Sequence, residues 1–289
     1  MAEGQGSWPR RCGAGRGKIP LNAPTSLAVA AVAVLCAAAP EEKVALSHAT
    51  ALAWRSGAMV DIGDAPPPPR PARPARPLLM APRDMPRRRA GGSLAGRIAL
   101  LHALAHIELN AIDLAWDLIA RFTGEDLPRA FYDEWVTVAD EEATHHALIA
   151  ARLRELGAAY GDLPAHDGLW EAAQVTAHDL LARLAVVPLV LEARGLDVTP
   201  DMIARLRRFG DAESAAALAI VYRDEIGHVA TGRRWFDQLC ARRGLEPGPT
   251  YLALVERHFR GRLKPPFNRV GREAAGLPEP FYAPLAQSE

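Results

Sequence analysis

The sequence predicts an all-α protein centred on a four-helix bundle with one long crossover, and three observations predict it. Between residues 93 and 244 apolar residues recur at helical spacing, and no alternating apolar strand of useful length occurs. Two Glu-x-x-His matches, Glu142 to His145 and Glu225 to His228, stand in long helical stretches and are the only two in the 289 residues. Each has a glutamate upstream at nearly the same distance, Glu108 lying 34 residues before Glu142 and Glu192 lying 33 before Glu225. A bundle that houses two metal ions needs this inventory: one Glu from each of two helices and Glu-x-x-His from each of the other two.

Taken in order, residues 1–25 carry Gly, Pro and Arg without periodicity and are expected to be disordered. An N-terminal extension follows over 26–92, the bundle over 93–245, and a tail expected to pack on the bundle over 246–289. Residues 26–56 read as one or two helices. The apolar run Leu27–Ala39 follows several basic residues, as a secretory signal would. It is Ala-rich, too short to span a bilayer, and followed at Pro40-Glu41-Glu42 by a helix start, so it reads as a short buried helix. Prolines from Pro66 to Pro86 exclude helix and central strand, giving an extended segment. Its arginines, within 70–89, suit either an RNA or acidic partner, or a strap laid along the bundle.

Ser93 can cap a first bundle helix over about 94–122, with Leu101, Leu104, Ala105, Glu108, Ile112, Ala115 and Ile119 on one face. Pro128 suits the start of a second helix, which ends at Gly157. After a long connection, a third helix is expected over about 168–193, ending at Gly195, with a short helix from Thr199-Pro200 to Gly210. A fourth runs from about Asp211 to Arg243 and ends at Gly244. Pro188, four residues before Glu192, should break or bulge the third helix where a ligand sits. The tail contains one helical piece near 251–260.

Composition narrows the function classes. Thirty-four basic and 34 acidic residues cancel, so overall charge gives no hint of nucleic-acid or membrane binding. Three distant cysteines, Cys12, Cys36 and Cys240, supply neither a disulfide framework nor a Cys-based metal site, and lean towards a reducing cytoplasm.

Residues i and i+3 share a helix face, so each Glu-x-x-His can reach one ion, while Glu108 and Glu192 are placed to bridge. Carboxylates with a single imidazole per ion suit iron, manganese or a mixed pair rather than structural zinc. The ligand set is therefore Glu108, Glu142, His145, Glu192, Glu225 and His228. His146 competes with His145, which symmetry between the halves favours. Glu141 and Asp224 each precede a motif glutamate and can hold the His of the facing helix through its second ring nitrogen. Tyr222, Trp135 and His178 fall near the inward faces, Tyr222 as a residue behind the ligands. His102 and His106 have zinc-like spacing but lack the Glu between, and read as structural.

This ligand set resembles that of the ferritin-like di-iron carboxylate superfamily. The wording HALAHIELNAIDLAWDL, VADEEATHH, LEARGLDVTP and DEIGHVATGRRWF looks like a bacterial ferritin-like family whose function is not established, over about residues 26–280. The resemblance implies two iron ions and a site that reacts with dioxygen or peroxide, hence an oxidoreductase of hydroxylase or oxygenase type with an electron donor and a separate substrate. The superfamily also contains a transfer RNA hydroxylase, the analogy that suggests RNA for the Arg-rich segment. Iron or peroxide handling and a metal-stabilised binding scaffold are the alternatives; peroxide handling of the rubrerythrin type would call for the Cys-x-x-Cys pairs of a rubredoxin-like module, which the sequence lacks, and the long extensions fit poorly with a closed storage shell.

Overall fold

A computed structural model of the chain describes residues 25–85, 92–260 and 262–286. Among them there is no β-strand, only two isolated bridges, Leu79 with Ala165 and Leu263 with Ala286. The central helices are α3 (Leu94–Arg121), α4 (Arg129–Glu155) and α8 (Ala212–Arg242). The fourth bundle helix is composite: α6 (Leu180–Val186), a π-helical turn (Val187–Glu192) and α7 (Ala193–Arg208) run on without a break. Helices α3 and α4 pack along each other, as do α7 and α8, and α4 joins the two pairs by packing on α8. The connection between the pairs contains α5 (Gly168–Val175).

Local chemistry sets the ends. The Ser93 hydroxyl accepts from Gly96 N–H, and the Asp211 carboxylate accepts from Ser214 N–H, capping α3 and α8. Gly157 and Gly210 take positive φ after α4 and α7, and the next amide bonds back to Leu153 and Leu206 respectively.

The third helix departs from expectation at both ends. It does not run from residue 168, because Arg183 reaches back to the Ala173 carbonyl (2.7 Å) and the Thr176 hydroxyl (2.9 Å), closing α5 there. Asp179 then caps a new helix at Leu181 N–H. Nor does it end at Gly195 or restart at Thr199-Pro200: Gly195 is helical, and α7 continues through Pro200 to Arg208. Of the break or bulge expected at Pro188, the bulge is present, as the π-helical turn. There the ring packs on α8, where a Cβ built on Gly232 would lie 2.4 Å from Pro188 Cβ.

The extension and tail wrap the bundle. Helix α1 (Leu27–Cys36) is buried against α2 (Pro40–Arg55) and α3. The fully buried Lys43 of α2 donates to Asp113 (2.7 Å) and to the Val34 and Leu35 carbonyls at the C-terminus of α1. The Pro-rich segment is a strap: Ala72 N–H bonds Leu35 O, Met80 N–H bonds Ala165 O, Arg70 pairs with Asp167, and Arg73 pairs with Asp113. Two of its arginines are thus engaged by the bundle, whereas 86–89 lie outside the described residues, as does the expectation for 1–24. In the tail, α9 (Pro247–His258) lies on α6 and α8, and α10 (Arg269–Ala274) on α7 and α8. The Tyr251 hydroxyl donates to Leu189 O in the π-helical turn.

Helix α3 is long and apolar enough to cross a membrane by composition, yet 67% of its most apolar window is buried inside the molecule. It also turns Glu108, Asn110, Asp113 and Asp117 inward, as a bundle core helix does.

The two helical glycines beside the π-helical turn should behave oppositely. Gly232→Ala forces a methyl into Pro188 and should cost about 1–3 kcal/mol. Gly195→Ala meets nothing within 4 Å and should gain up to about 1 kcal/mol from helix propensity. Urea unfolding of both variants checks this; equal effects would contradict the packing described.

Candidate metal centre

Each long helix contributes to one polar cluster midway along the bundle. Helix α3 brings Glu108, α4 brings Glu142 and His145, the end of the π-helical turn brings Glu192, and α8 brings Glu225 and His228. One potential ligand atom from each of Glu108, Glu142, His145 and Glu225 lies within 4.8 Å of all the others. His145 Nδ1 is 3.5 Å from Glu108 Oε2 and 3.4 Å from Glu142 Oε2. His228 joins through Glu142, its Nδ1 lying 3.0 Å from Oε1, and it is 3.9 Å from Glu225 Oε2. The two imidazole centroids are 5.6 Å apart. Glu142 thus stands between the histidines, one oxygen towards each.

Both imidazoles turn Nδ1 into the cluster and Nε2 out of it, and each Nε2 meets a carboxylate of the facing helix. His145 Nε2 lies 3.3 Å from Asp224 Oδ2, and His228 Nε2 lies 2.8 Å from Glu141 Oε2. The exchange is reciprocal, since the residue before each motif glutamate holds the other motif's histidine. Such a contact fixes the ring and leaves the inward nitrogen free as an acceptor.

Buried polar atoms almost always have hydrogen-bond partners. Here Glu192 Oε2 and Glu225 Oε2 have none, while Glu108 Oε2 faces only His145 Nδ1 and Glu142 Oε1 faces only His228 Nδ1. The donor set fits a pair of divalent cations, since four carboxylates and two neutral imidazoles balance two such charges. Burial raises Glu108 to about 7 and Glu192 to about 8, and lifts Glu225 well above the carboxylate range. Burial also opposes charge on His145, but Glu108 and Glu142 outweigh it and hold the ring at about 11. On Glu142 burial is outweighed by His228 and His145, which hold it below the usual range.

The neighbouring candidates separate cleanly. His146 is no ligand: its Nδ1 faces the Ala105 carbonyl at 2.9 Å, and burial lowers it to about 4. His106 lies against the Tyr160 hydroxyl and the His166 carbonyl, and His102 Nε2 accepts from Gly161 N–H. Both are structural, as the lack of a Glu between them suggested despite the zinc-like spacing. Tyr222 does not stand behind the ligands: its hydroxyl accepts from Asn268 at 2.9 Å, on the tail. Trp135 is core, packed beside Phe131, and His178 is exposed beside His258.

Sequence reasoning missed a cavity of about 370 Å³ between α3, α7 and α8, bordered by Glu108, Glu192 and Glu225. Its only sequence signal was the stripe Gly195, Val198, Met202 on α7, masked by the expectation that Gly195 ended a helix.

Metal binding at this cluster should release protons. The neighbouring carboxylates favour protons on both histidines, and burial favours protons on Glu108, Glu192 and Glu225. Ligation requires their loss, so affinity should fall as pH falls. Calorimetry with Mn(II) in buffers of differing ionisation enthalpy should give apparent enthalpies that vary with the buffer; invariance would refute proton release. Asp224→Asn and Glu141→Gln should each weaken Mn(II) binding about 10–100-fold.

Comparison with known proteins agrees with the extent of the folded region. An uncharacterised protein of Haemophilus influenzae is 44% identical over 207 residues, 69% of this chain and 71% of that one. No solved structure matches. The family described as "Protein of unknown function (DUF455)" matches residues 36–283, from the end of α1 to the last turn of the tail. The chain belongs to the DUF455 family.

Proposed function

We propose that the chain is a ferritin-like di-metal carboxylate protein that holds two iron ions, or manganese or a mixed pair, through Glu108, Glu142, His145, Glu192, Glu225 and His228. We further propose that it is an oxidoreductase of hydroxylase or oxygenase type, using dioxygen or peroxide, an electron donor and a separate substrate. One observation carries the reading: carboxylates of Glu108, Glu142 and Glu225 and the His145 imidazole gather within 4.8 Å of one another, with His228 against Glu142 and Glu192 close enough to feel their charge. Isolated buried carboxylates are costly unless paired or metal-bound, and no Lys or Arg reaches these four among the described ion pairs.

When bound, the metal pair supplies the redox capacity and Lewis acidity that dioxygen chemistry requires. The chain supplies the rest. Asp224 and Glu141 accept the outer N–H of each histidine and fix its inward nitrogen. Glu108, Glu192 and Glu225 open onto the cavity, so a second molecule can approach from that side. The apolar wall keeps water from the reacting groups. In a hydroxylation, one atom of dioxygen enters a substrate C–H bond and the other leaves as water, the donor providing two electrons and two protons. The cavity favours this over iron storage or a scaffold role, neither of which needs a space beside the ligands.

Loading with Fe(II) under nitrogen, followed by metal analysis and an oxygen electrode, tests the proposal. Two irons per chain and rapid dioxygen uptake are expected, with Glu142→Ala losing half or more of the iron and the uptake. Two irons without uptake would favour a scaffold; uptake that keeps rising with iron far above two per chain would favour storage.

A further inference from the structure

The cavity beside the carboxylates narrows the kind of molecule that can occupy it. At roughly 30 Å³ for a water-sized group, its volume of about 370 Å³ takes about a dozen non-hydrogen atoms. Away from the three glutamates its wall is apolar, with Leu104, Leu114, Val198, Met202 and Leu218 as principal side chains. Arg194 and Thr199 are the other polar side chains that border it. Arg194 is committed elsewhere, its Nη1 donating to the carbonyls of Lys264 (2.6 Å) and Pro266 (3.4 Å) in the tail. A guest rich in hydroxyl or charged groups would therefore lose hydration without gaining partners.

The space is also kept open by residue choice. Gly195 sits inside α7 with a helical backbone, needs no positive φ, and has nothing within 4 Å of where a Cβ would stand. Glycine is among the poorest helix formers, and here neither backbone conformation nor close packing calls for it. Any longer side chain at 195 would intrude on the cavity that it borders. Ala103 and Ala111 border the same space from α3. Ile107, also on its border, is 44% exposed and marks the side that faces solvent.

We infer that the substrate is an aliphatic molecule, or the aliphatic end of a larger one, of about a dozen non-hydrogen atoms. It enters past Ile107 between α3 and α7 and lays a C–H bond towards Glu108, Glu192 and Glu225. The chemistry at that bond rests on the di-metal reading; the binding does not.

The full chain, metal-free and loaded with Co(II), is titrated with decanol and, as a polar molecule of similar size, with glucose. Calorimetry reads binding, and the visible bands of Co(II) report events at the ligands. Decanol is expected to bind and to shift the bands, and glucose to do neither. Gly195→Leu and Ala103→Leu should each weaken decanol binding about tenfold or more with Co(II) uptake unchanged. Absence of decanol binding, equal binding by wild type and both variants, or comparable binding of glucose would overturn the inference. If decanol binds but the chain takes up no Co(II), the aliphatic site stands and the di-metal reading falls. If Co(II) is taken up and decanol is refused, the reverse holds. Should Gly195→Leu fail to fold, Ala103→Leu and the two ligands still decide.

Discussion

Burying negative charge in an apolar bundle requires a counter-charge, and helix α3 shows two ways of meeting that requirement. Three carboxylates lie along it, all nearly inaccessible: Glu108, Asp113 and Asp117. Asp113 is met by Lys43 and Arg73, and Asp117 by Arg121 and the fully buried Arg183. Lys43, Arg73 and Arg183 make further bonds, so these pairs also bolt the strap, α1, α2 and α6 onto α3. Glu108 has no such cation; its charged neighbours are His145 and the other carboxylates. Within one helix, then, the chain supplies permanent partners to two buried carboxylates and leaves the third facing a cluster of its own kind. Breaking a buried pair is strongly destabilising, and a cluster that lacks such a Lys or Arg partner could hold a metal ion in its place.

The parts farthest from the cluster also serve it. Glu192 is carried at the end of a π-helical turn, and that turn is held on two sides. Gly232 lets α8 approach Pro188 closely, and Tyr251 of the tail donates to Leu189 O. π-helical turns often mark functional sites because an extra residue per turn re-aims the side chains that follow. Here the turn allows one continuous helix both to pack in the bundle through α6 and to line the cavity through α7. The tail secures the far side through Arg272, buried and bidentate to Asp197 of α7.

The centre was legible in the sequence because its signal is redundant. Two Glu-x-x-His motifs and two upstream glutamates impose one spacing twice, and Glu108 stands on a stripe otherwise made of Leu, Ala and Ile. The exchange of Glu141 and Asp224 between histidines followed from the same symmetry. The break after α5 was not legible, because Thr176-Ala-His-Asp179 contains neither Gly nor Pro and the closing group, Arg183, lies downstream. Lys43 directly follows the Pro40-Glu41-Glu42 helix start and is fully buried; only the meeting of α1, α2 and α3 explains that. Tyr222 was misplaced for a related reason, since its partner Asn268 belongs to a tail whose docking the sequence does not encode locally. The cavity exists only in the relative placement of α3 and α7, which helical periodicity does not specify.

Anomalous diffraction from crystals soaked with Fe(II) or Mn(II) would test whether these six side chains share two metal ions. Two peaks within about 4 Å of each other are expected, one beside Nδ1 of His145 and one beside Nδ1 of His228, with Glu142 reaching both. A single peak, peaks away from this cluster, or ligation through Nε2 with Asp224 and Glu141 displaced would contradict this expectation.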